Sequence, residues 1–149
     1  MQWELIDSTF DKETGISRVI VKTDLGVFEG TSKLHKEDED IKSVFQGCRY
    51  AEMRAMIKYG KAKARAYKNK ISILKEVIDN MEKLNNYQKN SVEARFIRKQ
   101  YFIKLDTLNQ LNLQIKALEN GLYNQMKNYR KEHEDFMKRI KNDTESQNK

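Results

Sequence analysis

From Tyr50 to Met81 the chain carries an uninterrupted heptad. Tyr50, Met53, Ile57, Gly60, Ala64, Tyr67, Ile71, Leu74, Ile78 and Met81 recur at alternating intervals of three and four, and none is charged. This spacing lays one apolar seam along a helix, which needs a second helix to cover it. Proline is absent from all 149 residues, so no imino ring interrupts the pattern. A second seam follows the polar stretch "NNYQKN". It runs through Ala94, Ile97, Tyr101, Leu108, Leu111, Ile115, Leu118, Leu122 and Tyr129, fades at Phe136 and is interrupted once by Lys104. At 1.5 Å per residue each helix is on the order of 50 Å long, and the two predict a helical hairpin or coiled coil.

Ahead of the heptads the period changes to two. "WELIDSTF", "ISRVIVKT" and "VFEGTSKL" read as strands separated by the turns "DKETG" and "DLG", which gives an antiparallel meander. Valines and isoleucines fall on both faces of the middle strand, so both faces are expected to be covered. The expected class is therefore α+β: a small N-terminal β-meander followed by two long C-terminal helices. We expect one domain over residues 1–149. Its parts are a sheet over 1–35, a short helix or turn over 36–47 that Gly47 breaks, long helices over 48–85 and 91–140, and a disordered tail over 141–149. Acidic residues 37–40 suit a helix N-terminus, and Asn90 with Glu93 has the spacing of a capping box. Met56, Ile73, Val77, Phe96, Phe102, Leu105 and Leu113 lie off the seams and predict packing against another copy, a homo-oligomer of at least two chains.

The pattern of reactive side chains argues against catalysis. His35 and His133 are the only histidines, and "KEHEDF" lacks the second histidine that a zinc helix needs. Cys48 is the single cysteine, so an intrachain disulfide is impossible, and it reads as a plain buried thiol in a reducing cytosol. The glycines form no phosphate-cradling loop, and no acid–base pair recurs at a telling spacing. The expectation is no enzyme, no catalytic residue, no cofactor and no metal. "MQWELIDSTF" lacks the basic and apolar regions of a signal peptide, and no stretch approaches the roughly 20 apolar residues of a membrane span. We expect a cytoplasmic protein with no membrane partner.

A formal charge of +7 favours an anionic partner. Arg54, Lys58, Lys61, Arg65, Lys68 and Lys75 share one side of the first long helix, and eight cations with no acid lie between Arg54 and Lys75. A solvated helix face accounts for many of the lysines. Nucleic acid is one further reading, although no helix-turn-helix, zinc finger or RNA-binding motif is present. A small anionic nucleotide is favoured over it, because "YAEMRA" and "SVEARFIRKQYF" set arginines beside aromatics. A guanidinium grips phosphate with two donors and stacks on a ring. Arg54, Arg95 and Arg98 are the candidate phosphate contacts, with Phe96, Tyr101 and Phe28 as aromatic neighbours. Glu52 can pair an arginine or accept from a ribose hydroxyl.

With its "WELIDSTFDKETG" opening, "GVFEG" strand and "FQGCRYAEMRAMIKY" start of a helix, followed by a long helical hairpin, the chain resembles the first-described Thoeris anti-defence family of phages and prophages. The resemblance implies a non-enzymatic sponge: an N-terminal antiparallel sheet, two long C-terminal helices and a homo-oligomer. It implies sequestration, without cleavage, of cyclic ADP-ribose isomers made by bacterial TIR-domain proteins, in the host cytoplasm. Some members also hold cyclic oligonucleotides of CBASS immunity between subunits. Carried onto this sequence, the likeness assigns Arg54 and Arg98 to the pyrophosphate, Phe96 or Tyr101 to stacking on adenine, and Phe28 to closing the pocket from the sheet. The alternatives are a basic coiled-coil protein that binds nucleic acid or inhibits a host factor, and a structural component of a virion.

Overall fold

The computed structural model describes residues 1–33, 41–84 and 91–148. Strand β1 spans Trp3–Asp11, β2 Ile16–Thr23 and β3 Gly26–Lys33, followed by helices α1 over Ile41–Glu82 and α2 over Val92–Gln147. The sheet is antiparallel in the order β1-β2-β3, as the period-two pattern predicts, and the class is α+β. Its turns are built by the residues expected of them. The Gly15 amide donates to the Asp11 carbonyl at 2.8 Å, and the Asp11 carboxylate accepts from the Glu13 amide at 2.9 Å. At the second turn Gly26 has φ of 113°, which a side chain would oppose. Ile6 bulges out of the β1–β2 ladder, the one register shift in that pairing.

α1 is apolar on two sides in its first half. Gly47, Ala51, Ala55 and Tyr59, spaced by four, are all buried, and Val19, Val21, Phe28 and Cys48 pack with the two alanines. The small side chains let β3 settle directly on the helix backbone. A Cβ built on Gly30 would stand 1.8 Å from the Ala51 carbonyl oxygen. The other side of α1 carries the heptad and meets α2. Ala64 clusters with Leu108, Leu111 and Ile115, with Tyr67 and Ile71 packed alongside, while Gly60 admits Ile115. The helices run antiparallel: the Tyr50 hydroxyl donates to the Gln125 carbonyl at 3.3 Å, and Arg98 sits 3.8 Å from Glu82.

Four expectations differ from this structure. α1 passes Gly47 without a break, because Gly47 faces Ser17 of the sheet, where a Cβ would stand 2.8 Å from the Ser17 hydroxyl. Its helix cost of about 1 kcal/mol is offset by that close approach. The residues expected to form a disordered tail continue α2 as far as Gln147. Only one face of the sheet is covered among the described residues: Ser17, Val19 and Val21 lie under α1. On the other face Ile16 is exposed, Ile20 is half-buried, and Arg18 bridges to Glu29 at 3.0 Å. The cap of α2 is Ser91, whose hydroxyl accepts from the Ala94 amide at 3.2 Å, with Glu93 in the first turn. Asn90, expected there, and the acidic run 37–40 lie outside the described residues.

α2 has 56 residues against 42 in α1. It outruns its partner, and every described residue from Glu134 onward is exposed, Phe136, Met137 and Ile140 included. Further exposed apolar side chains, Ile73, Val77, Phe96, Phe102, Ile103 and Leu113, stand on the half of the hairpin away from the sheet. Among the described residues no helix is long and apolar enough to cross a membrane.

Candidate functional site

The candidate site residues fall into two groups at opposite ends of the hairpin. Phe28, Glu52 and Arg54 lie at the sheet end. Arg95, Phe96, Arg98 and Tyr101 lie at the far end, where Arg98 sits among Ile78, Met81 and Ala94. Between Arg54 and Ile78 α1 rises about 36 Å, so one chain cannot close both groups around one small ligand.

At the sheet end Arg54 already has work within the fold. Its Nη1 donates to the Thr31 carbonyl at 2.7 Å, and its Nη2 reaches Met126 Sδ at 3.8 Å. One turn on, the Lys58 ammonium donates to the Glu29 carbonyl at 2.8 Å. Both acceptors lie on the outer edge of β3, so the two cations occupy carbonyls that would otherwise invite another strand. A guanidinium has five N–H donors, and two of them are engaged, so Arg54 keeps donors for a ligand. Phe28 packs against the Tyr59 ring at 5.6 Å between centroids and belongs to the sheet–helix core. Glu52 is half-buried two residues before Arg54, on a different side of α1.

The far group is more open. Arg95 is exposed with no salt bridge among the described residues, and the Phe96 ring is 60% exposed. Tyr101 is half-buried and meets Phe102 edge-on at 5.4 Å. Here guanidinium and aromatic surface are available together, the combination that a phosphate-bearing ring compound needs.

Two hollows were not anticipated from the pattern. A cleft of ≈ 500 Å³ lies between the ends of the strands and α1, lined by Trp3, Glu4, Lys22, Asp24, Tyr59 and Lys63. The buried Tyr59 hydroxyl donates to Asp24, and the Lys63 ammonium reaches the same hydroxyl at 3.3 Å and Asp24 at 3.8 Å. The Tyr59 hydrogen bond holds the Asp24 carboxyl below its ordinary range, with burial opposing and Lys63 assisting. Burial, and then the Asp24 contact, push the Tyr59 phenol up. For Lys63 burial works against the charge, but the Tyr59 oxygen and Asp24 outweigh it and raise the ammonium. The only available signal was the i, i+4 spacing of Tyr59 and Lys63, since Asp24 joins them from a distant turn. The second hollow is an open groove of ≈ 700 Å³ between α1 and α2, lined by Lys61, Ala64, Arg65, Lys68, Asn112, Ile115, Lys116 and Glu119.

Among the described residues no group of three or more histidine, cysteine, aspartate or glutamate side chains is placed to hold a metal ion. In comparisons with known proteins, no family model, curated protein or solved structure matches the chain.

Proposed function

We propose that this chain is a non-enzymatic phage anti-defence protein that binds a cyclic nucleotide signal, first of all a cyclic ADP-ribose isomer, and holds it uncleaved. Cyclic oligonucleotides are a second ligand class on this reading, and the host cytoplasm is where it would act. The observation that carries it is the first turns of α2, which bring an exposed Arg95 and an exposed Phe96 ring to the far end of the hairpin, with the half-buried Arg98 and Tyr101 three residues apart on a neighbouring face. Arginine and aromatic surface together match a ligand made of pyrophosphate and a purine.

The separation of the two groups favours a site between copies. A second chain laid antiparallel would bring its far end against the first chain's sheet end. Arg95, Phe96, Arg98 and Tyr101 of one copy would then meet Glu52 and Arg54 of the other. Two-fold symmetry makes two such sites per dimer. The exposed Ile73, Phe102 and Leu113, at 61%, 62% and 68%, supply apolar surface for that contact.

Calorimetry of the full chain with cyclic ADP-ribose isomers tests the proposal, with the ligand recovered and chromatographed afterwards. Micromolar or tighter binding of an unchanged ligand is expected. Arg95→Ala should weaken it by about tenfold, a loss of about 1.4 kcal/mol, at an unchanged melting temperature. Absence of heat with every isomer, or recovery of a cleaved product, overturns it.

A further inference from the structure

The cationic stripe of α1 divides into two parts. Its first three members are occupied inside the fold: Arg54 by Thr31, Lys58 by Glu29, and Lys61 by Glu119 at 2.8 Å. Arg65 and Lys68 make no salt bridge among the described residues, and both face the open groove between the helices. Lys116 reaches the same groove from α2. The one carboxylate there, Glu119, is already engaged by Lys61. The groove therefore gathers three uncompensated positive charges over a floor made by the buried Ala64 and Ile115. The cleft on the other side of α1 is different, since its Lys22 and Lys63 face Glu4 and Asp24. Solubility requires cations on a helix surface, but it does not require cations from two helices to converge on one hollow. Such convergence is repulsive until an anion fills it.

We propose that this groove binds the phosphodiester backbone of single-stranded nucleic acid. Its length favours a chain over a compact ligand: Lys61 to Lys68 covers about 10 Å of α1, and the open end leads on toward Lys75. Its section favours one strand over two. Cations stand on both walls, so a single backbone can lie between Arg65 and Lys68 on one side and Lys116 on the other. A duplex is too broad to enter and would meet only the rims. The lining holds no aromatic ring, so bases are not stacked and binding is indifferent to sequence. The groove shares no residue with the nucleotide site proposed above, and the inference stands independently of it.

The test is fluorescence anisotropy of the full chain with an end-labelled oligothymidylate, titrated across a salt series. Binding at low salt is expected, weakening with a log–log slope of about 2, which is roughly 0.7 for each of Arg65, Lys68 and Lys116. The triple variant Arg65→Gln, Lys68→Gln, Lys116→Gln should lose about tenfold or more in affinity and most of the slope. Lys116→Glu alone, which places an acid in the groove, should act in the same direction. A charge-matched triple on exposed α2 positions, Lys127→Gln, Lys131→Gln and Lys141→Gln, should bind as the parent does. Inorganic polyphosphate should displace the oligonucleotide. Equal losses in the two triples, an unchanged slope in the groove triple, or no binding at low salt would overturn the assignment.

Discussion

Replacing Gly30 by alanine tests the docking on which the sheet end depends. The added Cβ would stand 1.8 Å from the Ala51 oxygen, 2.6 Å from the Ala55 nitrogen and 2.8 Å from the Ala51 carbonyl carbon, where ordinary contact begins near 3.4 Å. All three obstacles are helix backbone, so no side chain can rotate away. β3 must lift from α1 by about 1.6 Å, the shortfall against ordinary contact at the nearest atom. The gap opens above Val19, Val21, Ala51 and Ala55, each at most 1% exposed. Overpacking commonly costs about 1–3 kcal/mol. Because this one also separates a closed core, we place it at about 3 kcal/mol or more. At about 2–4 °C per kcal/mol for a chain of this size, melting should fall by at least about 6–12 °C. The edge bonds from Arg54 and Lys58 to β3 should loosen with it. Circular dichroism melts read the effect, with Gly26→Ala as the comparison: nothing lies within 4 Å of that site, and its φ of 113° leaves backbone strain alone. That strain costs about 1–2 kcal/mol. A Gly30→Ala protein melting within about 2 °C of the parent, or above Gly26→Ala, would refute the close approach of sheet and helix.

Arg54→Ala should lower the melting temperature by about 2–6 °C, because it frees the Thr31 carbonyl on the strand edge, while Arg95→Ala should not. Scanning calorimetry distinguishes the two. Asp24 has its folded pKa depressed, so its contribution is present above the ordinary carboxylate value of 3.8 and is lost as pH falls through the lower folded value. Asp24→Asn should remove that acid-limb dependence from a melting-versus-pH series. The raised Tyr59 phenol acts at the other limb. Its contribution is complete below pH 10 and is lost as pH rises toward the folded value, so Tyr59→Phe should flatten the alkaline decline. Ile73→Glu with Phe102→Glu should convert an oligomer to monomers in sedimentation analysis while helix content is kept. A parent chain that already sediments as a monomer would refute the self-association.

The architecture was legible because each half of the chain keeps one period over a long run. "ISRVIVKT" alternates between a face under α1 and an outer face, and the heptad from Tyr50 to Met81 closes on Leu108, Leu111 and Ile115. What stayed hidden was the second buried side of α1. Gly47, Ala51 and Ala55 are small, so hydrophobicity does not flag them, yet their smallness is what lets β3 approach. Gly47 consequently looked like a break when it is a contact. The tail looked disordered because its apolar residues thin out, whereas a helix already begun can continue through polar residues at little cost per residue. Covering of the outer sheet face was expected from Ile16 and Ile20, but with Val27 they stand as scattered apolar side chains on a face of charged stems, which does not require a partner.

The candidate site was legible in its chemistry but not in its assembly. Arginine beside aromatic marks both "YAEMRA" and "RFIRKQY", and nothing in either motif by itself reveals that about 36 Å of α1 holds them apart. The structure gives these arginines different duties. Arg54 has a structural duty, so loss of binding in its variant would mix lost contact with a loosened strand edge. Arg95 has neither a salt bridge among the described residues nor a buried side chain, so its removal changes the ligand surface and little else. If binding in an Arg54→Ala protein recovers on mixing with a chain that lacks only Arg95, each copy is supplying the half that the other has lost. A site confined to one chain cannot be rescued in that way, which makes complementation the measurement that separates a shared pocket from a private one.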